Sequence, residues 1–87
     1  MMTQDNLITV TIRSHVPPSA SIKDFVFGKP FQLKLENNIT LEALLQKLFS
    51  EKMNALGFIA VNGKLAAKDR TILDGDVVYI YNLILGG

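Results

Sequence analysis

Only one stretch of this chain repeats its apolar residues with the period of a helix. Leu41, Leu44, Leu45, Leu48 and Phe49, continued by Met53, fall on one face, the i, i+3, i+4, i+7, i+8 stripe of a helix packed on another element. Thr40 stands where a side-chain oxygen caps the first turn, Ile39 and Leu44 are spaced as a hydrophobic staple, and Glu42 lies where the helix dipole favours an acid. With Gly57 as the expected terminator, the helix runs from about Leu41 to Met53. In a chain of 87 residues this stripe has no second helix to pack on, so a sheet must cover it.

The sheet-forming segments lie on both sides of it. Leu7 to Arg13 sets Ile8, Val10 and Ile12 against Thr9, Thr11 and Arg13, the period of two of a half-buried strand. Phe31, Leu33 and Leu35 alternate with Gln32, Lys34 and Glu36 just after Pro30, where a missing amide matters least. Phe58-Ile59-Ala60-Val61 reads as a short buried strand, and Asn62-Gly63 tolerates the positive φ of a type I′ turn. Lys64 to Ala67 returns as a short strand. After a second turn at Asp74-Gly75-Asp76, Val77 to Tyr81 is the last strong strand. Between the first two strands, residues 14–30 form a long loop broken by Pro17-Pro18, with Phe25-Val26-Phe27 as a short edge segment before Gly28.

The order β-β-α-β-(β)-β has one economical solution at this length: an α+β fold with a mixed four- to five-stranded sheet and one main helix across one face. The first two strands form a hairpin and the last lies beside the first in the centre, which is the β-grasp, or ubiquitin-like, architecture. Residues 1–87 read as a single such domain, with mobile N-terminal residues 1–6 and a flexible C-terminal tail over 82–87.

Composition narrows the chemistry. With 48% hydrophobic and 20% charged residues the chain is globular. A domain of this size has little room for a deep active site beside its core, so an enzyme is disfavoured. Nine basic residues against eight acidic ones leave a net charge of +1, with no counterion-release drive toward nucleic acid and no pull toward a membrane. There is no cysteine and one histidine, His15, so thiolate metal sites and cysteine nucleophiles are excluded, and neither a metal site nor a catalytic residue is expected. His15 reads as a solvated loop residue and Lys23 and Lys68 as surface charges. Asp69, Asp74 and Asp76 read as turn and cap residues rather than calcium ligands. The polar start and the lack of a long apolar run point to the cytoplasm.

The chain ends Leu83-Ile84-Leu85-Gly86-Gly87. A diglycine end can be drawn extended into a narrow channel and offers only a main-chain carboxylate as its reactive group; the same residues also suit a frayed terminus. Taken with Val61-Asn62-Gly63, Leu73, Asp74-Gly75-Asp76, Val78 and Ile80, this ending resembles the ubiquitin-like sulfur carriers of cofactor biosynthesis: the small subunit of molybdopterin synthase and the thiamine-pathway sulfur carrier. The resemblance covers residues 38 to 87, and the long segment over 14–30 favours the molybdopterin type. It implies that an E1-like adenylating enzyme uses ATP and magnesium to activate Gly87, which then becomes a thiocarboxylate. It further implies a sulfur-transfer or synthase large-subunit partner, tail recognition through Leu83, Ile84, Leu85 and Gly86, and no cofactor bound by the chain itself. The chain would be a protein substrate and sulfur donor rather than an enzyme. Ubiquitin-related modifiers, which end in an isopeptide bond to lysine, share the design, and a non-covalent β-grasp interaction module is the alternative of a different class.

Strand alternation supplies one more site. If Val78 and Ile80 face the helix, Val77, Tyr79 and Tyr81 face away and form a partner-binding face, since tyrosine is enriched at interfaces. Either that face is bare, or the loop over 14–29 folds across it and buries Phe25 and Phe27.

Overall fold

The computed structural model describes residues 7–18 and 25–83. Its strands are β1 (Leu7–Ser14), β2 (Phe31–Glu36), β3 (Leu56–Val61), β4 (Lys64–Leu65) and β5 (Val77–Asn82), with one α-helix, α1 (Leu41–Phe49), between β2 and β3. The five strands form one mixed sheet in the order β2-β1-β5-β3-β4. β1 pairs antiparallel with β2 and parallel with β5, while β3 pairs antiparallel with both β5 and β4. The fold is therefore α+β with the first and last strands side by side. Among the described residues no helix is long and apolar enough to cross a membrane.

Alternation decides which side of the sheet the helix covers. Ile8, Val10, Ile12, Leu35, Ile59, Val61, Val78 and Ile80 share one buried cluster with Leu41, Leu44, Leu45, Leu48 and Phe49 of α1. The helix begins as its sequence demands, with Thr40 Oγ1 accepting from the Ala43 amide at 3.2 Å. Two further amides of the first turn find partners outside the helix: Leu41 N–H donates to Arg70 O and Glu42 N–H to Lys68 O. The loop after β4 thus satisfies a helix end that would otherwise carry orphan donors, and Ile72, fully buried, locks that loop into the core.

The helix stops earlier than its stripe. Ser50 takes a positive φ of 43° and ends α1, and Ser50–Ala55 continues as a 3-10 helix, which keeps Met53 packed against the cluster. Gly57 is no terminator. It lies within β3, where a Cβ would stand 2.6 Å from Asn82 O, so the glycine permits close approach of β3 to β5 beside the register shift between Leu56 and Ile59. Phe58, expected in a buried strand, alternates with the inward Ile59 and Val61 and stands in solvent at 59% exposure. β4 is only Lys64–Leu65, and Phe25-Val26-Phe27 forms no strand but leads into a turn closed by Lys29 N–H to Val26 O, with Gly28 at φ 72°. Asn82, expected in the tail, is the last residue of β5, paired with Leu56. Residues 1–6 and 84–87 lie outside the described residues.

Both sequence turns form, and one carboxylate joins them. Asn62 and Gly63 have φ values of 54° and 84°. Asp76, 5% exposed, accepts from Asn62 Nδ2 at 2.9 Å through Oδ1, and from Arg70 Nη1 at 2.9 Å and Leu73 N–H at 2.8 Å through Oδ2. Burial alone would raise its pKa, but the Leu73 amide, Arg70 and Asn62 together outweigh that and hold it below the usual carboxylate value.

Two outcomes follow for stability. Leu45→Ala empties space beneath the sheet at a residue 1% exposed and should cost about 2 to 5 kcal/mol in urea melts. A carboxylate whose pKa is depressed by folding stabilises above its unfolded pKa of about 3.9, and the contribution is lost as pH falls through the folded-state value. Asp76→Asn should therefore lower stability at neutral pH and narrow its gap to the wild-type protein below about pH 4. Melts across the acid range read this directly, and a gap that stays constant with pH would show that the charge on Asp76 contributes nothing.

Candidate functional site: the aromatic face of the sheet

The face of the sheet opposite α1 takes the other half of each strand's alternation. From β5 it presents Val77, Tyr79 and Tyr81, the first 40% exposed and the tyrosines half-buried. From β1 it takes Thr9, Thr11 and Arg13. The parallel register sets Arg13 opposite Tyr79, and the Arg13 guanidinium carbon lies 5.2 Å from the Tyr79 ring centre, a cation–π distance. Ala60 of β3 is the register partner of Tyr79 on its other side, a side chain small enough to leave room for the ring.

The aromatic rings form a continuous file. Tyr79 and Tyr81 stack at 4.4 Å between centroids and 8° between planes, and Phe58 lies 4.6 Å from Tyr81. His15 stacks on both tyrosines, at 5.5 and 6.2 Å, and its Nε2 is 2.9 Å from Tyr79 Oη. It is exposed, as the sequence suggests for a solvated loop residue, and it also joins this face. The turn at Gly28 closes the far end: Gly28 N–H donates to Ser14 O, Arg13 Nε donates to Gly28 O at 3.0 Å, and a Cβ on Gly28 would stand 3.1 Å from His15 Cε1.

Phe25 and Phe27 do not cover the tyrosines. Phe25 packs edge-on against Phe31 at 6.0 Å and against Phe27 at 5.6 Å, and Phe31, register partner of Ile12, belongs to the helix side. Phe27 remains 62% exposed. Of the two arrangements open to the sequence, the described part of the loop leaves the tyrosine face uncovered.

β5 runs directly out of this face. Leu83 N–H donates to Ala55 O at 2.8 Å, holding the strand's exit beside the 3-10 helix, and Leu83 is 47% exposed. Two shallow grooves flank it, one of about 320 Å³ bordered by His15, Pro17 and Ala55, the other of about 300 Å³ bordered by Leu56 and Phe58. Ile84, Leu85, Gly86 and Gly87 lie outside the described residues. Arg13, His15 and Phe58 are the members that sequence reading missed. Extending the alternation of β1 would have found the first two. Phe58 follows from alternation within β3 as well, since Ile59 and Val61 face the core and Phe58 shares the side of Ala60, but Phe58-Ile59-Ala60-Val61 read as a strand buried on both faces.

Among the described residues no group of three or more His, Asp or Glu side chains is placed to hold a metal ion. Asp74 and Asp76 serve as turn residues, Asp74 Oδ1 accepting from the Thr9 amide at 2.7 Å. No protein-family model matches the chain, and neither does any curated protein.

Tyr79→Phe keeps the stack and removes the hydroxyl partner of His15. Because Tyr79 is only half-buried and its partner His15 is exposed, the cost should stay below about 1 kcal/mol in urea melts. A loss above about 2 kcal/mol would show that the His15–Tyr79 bond holds the fold together, leaving this face less free to meet a partner.

Proposed function

We propose that this chain is a β-grasp sulfur carrier of the molybdopterin-synthase small-subunit type, whose C-terminal Gly87 is adenylated and converted to a thiocarboxylate for cofactor biosynthesis. The strand order β2-β1-β5-β3-β4 with its single helix supports the β-grasp reading. The observation that carries the rest is the aromatic file of Tyr79, Tyr81, Phe58 and His15 at the end of the sheet from which β5 leads to Leu83 and on toward Gly87. An enzyme gripping that face would have the tail at its active site, and tyrosine, phenylalanine and arginine are the residues that anchor such contacts.

The chemistry asks nothing acidic or basic of the carrier. The Gly87 carboxylate attacks the α-phosphorus of ATP on the adenylating enzyme, and pyrophosphate leaves. The terminal sulfur of a persulfide then attacks the acyl carbon and AMP departs. A thiol cleaves the resulting acyl disulfide, giving the thiocarboxylate and a mixed disulfide. Magnesium, the charge stabilisation for these steps and the sulfur source belong to the partners. Leu83, Ile84 and Leu85 would anchor the tail, and Gly86 would pass the narrowest part of the channel. A cytoplasmic address goes with this role, since activation consumes ATP. No nucleic acid or membrane takes part.

A carrier role requires a free carboxylate on Gly87, and intact mass tests it. The full chain is incubated with ATP, magnesium, a persulfide donor, a thiol and an adenylating enzyme proven on another carrier. Sulfur should replace one oxygen in the C-terminal peptide. Deleting Gly87 should abolish the change, whereas Tyr81→Ala should raise the carrier concentration needed for half-maximal rate by about tenfold, the loss of one interface anchor, without abolishing it. If the wild-type chain stays unmodified while the control carrier reacts, the carrier role fails and the face belongs to a non-covalent interaction module.

A further inference from the structure

Asn62-Gly63 is the only asparagine-glycine pair in the chain, and its asparagine has an unusual degree of restraint for a turn residue. Its main-chain N–H donates to Val77 O at 2.8 Å. Its side-chain Oδ1 accepts from Val77 N–H at 2.9 Å, and its Nδ2 donates to Asp76 Oδ1 at 2.9 Å. Both ends of the carboxamide are therefore committed across the sheet to the entry of β5. Gly63, by contrast, stands in open space, with no atom within 4 Å of where a Cβ would lie.

An asparagine followed by glycine has an intrinsic reaction available. The Gly63 nitrogen, giving up its proton, attacks Asn62 Cγ; the Cγ–Nδ2 bond breaks and ammonia leaves; water then opens the five-membered imide at either carbonyl, to aspartate or to isoaspartate. Glycine is the following residue that crowds this closure least, having no side chain. In the folded protein the carboxamide must first leave Val77 and Asp76.

We propose that Asn62 is a covalent modification site of this protein, at which imide formation by Gly63 is gated by the hydrogen bonds of the Asn62 carboxamide to Asp76 and Val77. The product cannot rebuild what it left. An aspartate at this position still accepts from the Val77 amide but has no proton for Asp76 Oδ1. Two carboxylates then face each other at hydrogen-bond distance, with Arg70 already engaged on the other oxygen. Isoaspartate adds a main-chain carbon to a two-residue turn and breaks the pairing of Val61 with Lys64. Either product holds open the junction whose opening allowed it to form, so one local excursion becomes permanent.

The test needs no partner and is independent of any sulfur transfer. The full-length chain is incubated in mildly alkaline buffer, with and without denaturant, and the peptide containing Asn62 is followed by mass and by its isoaspartate content. Conversion in the folded chain should be at least about tenfold slower than in denaturant, as expected when reaction waits on local opening. Asp76→Asn, which keeps the side-chain shape and removes the charge, should speed conversion several-fold while circular dichroism remains native. If that variant does not fold, Arg70→Gln takes its place under the same criterion. The variant Asn62→Asp should melt at a lower temperature than the wild-type protein. Equal rates in folded and denatured chain, or a folded Asp76 or Arg70 variant that converts no faster than the wild-type protein, would overturn the gate.

Discussion

The carboxylate of Asp76 is the point on which the rest of this structure depends. Its two oxygens collect a side-chain amide from the β3–β4 turn, a guanidinium from the loop after β4 and a main-chain amide from the approach to β5. The residue bearing that guanidinium, Arg70, also offers its carbonyl to the first amide of α1. A single buried charge thus links the start of the helix, the edge hairpin and the entry of the central strand. A charge so deeply placed would oppose folding if left alone. It is tolerable here because every approach to it ends in a donor.

What that junction secures is the parallel pairing of β1 with β5. Gly75 N–H donates to Thr9 O and Thr11 N–H to Asp76 O, so the turn held by Asp76 sets where β5 begins against β1, and the register follows from there. Shifting it by one residue would exchange Val78 and Ile80, both fully buried, with Tyr79 and Tyr81. The same register sets Arg13 opposite Tyr79. The aromatic face is therefore assembled by a contact at the opposite end of the strands, and its geometry is inherited from the core rather than made locally.

How much of this could be read from the chain depends on the range of the interaction. Thr40, the leucine stripe, the alternation from Leu7 to Arg13 and the Asn62-Gly63 turn are local signals and were legible. The end of α1 was not, because Met53 continues the stripe in sequence while Ser50 breaks it with a positive φ. Gly57 read as a helix stop since nothing local reveals that Asn82 O will lie against it. The site divides the same way: Tyr79 and Tyr81 followed from the period of their strand, whereas Asp76 looked like any turn aspartate, its partners being spread from Asn62 to Leu73. His15 lies one residue past the end of β1 but keeps its alternation with Arg13, so carrying the period of two one step further reaches it.

The stacking geometry also bears on what kind of partner the proposed function requires. Tyr79 and Tyr81 are two residues apart on one strand and lie parallel within 8°, so each covers part of the other's flat surface, and His15 and Phe58 cover more at the two ends. A surface built to stack nucleobases leaves ring faces free to receive them. Here each tyrosine already has neighbouring rings against it, and the Arg13 guanidinium lies beside Tyr79, so edges and the Tyr81 hydroxyl are what is left for a partner to meet. Edges and hydroxyls suit a protein surface, where apolar contact surrounds a few directed hydrogen bonds. Because the rings already restrain one another, a partner would bind them with little further loss of side-chain freedom, the condition under which a small face can be gripped firmly. Under the proposed function, the partner that this face would suit is therefore a protein that grips the sheet, and not a nucleic acid.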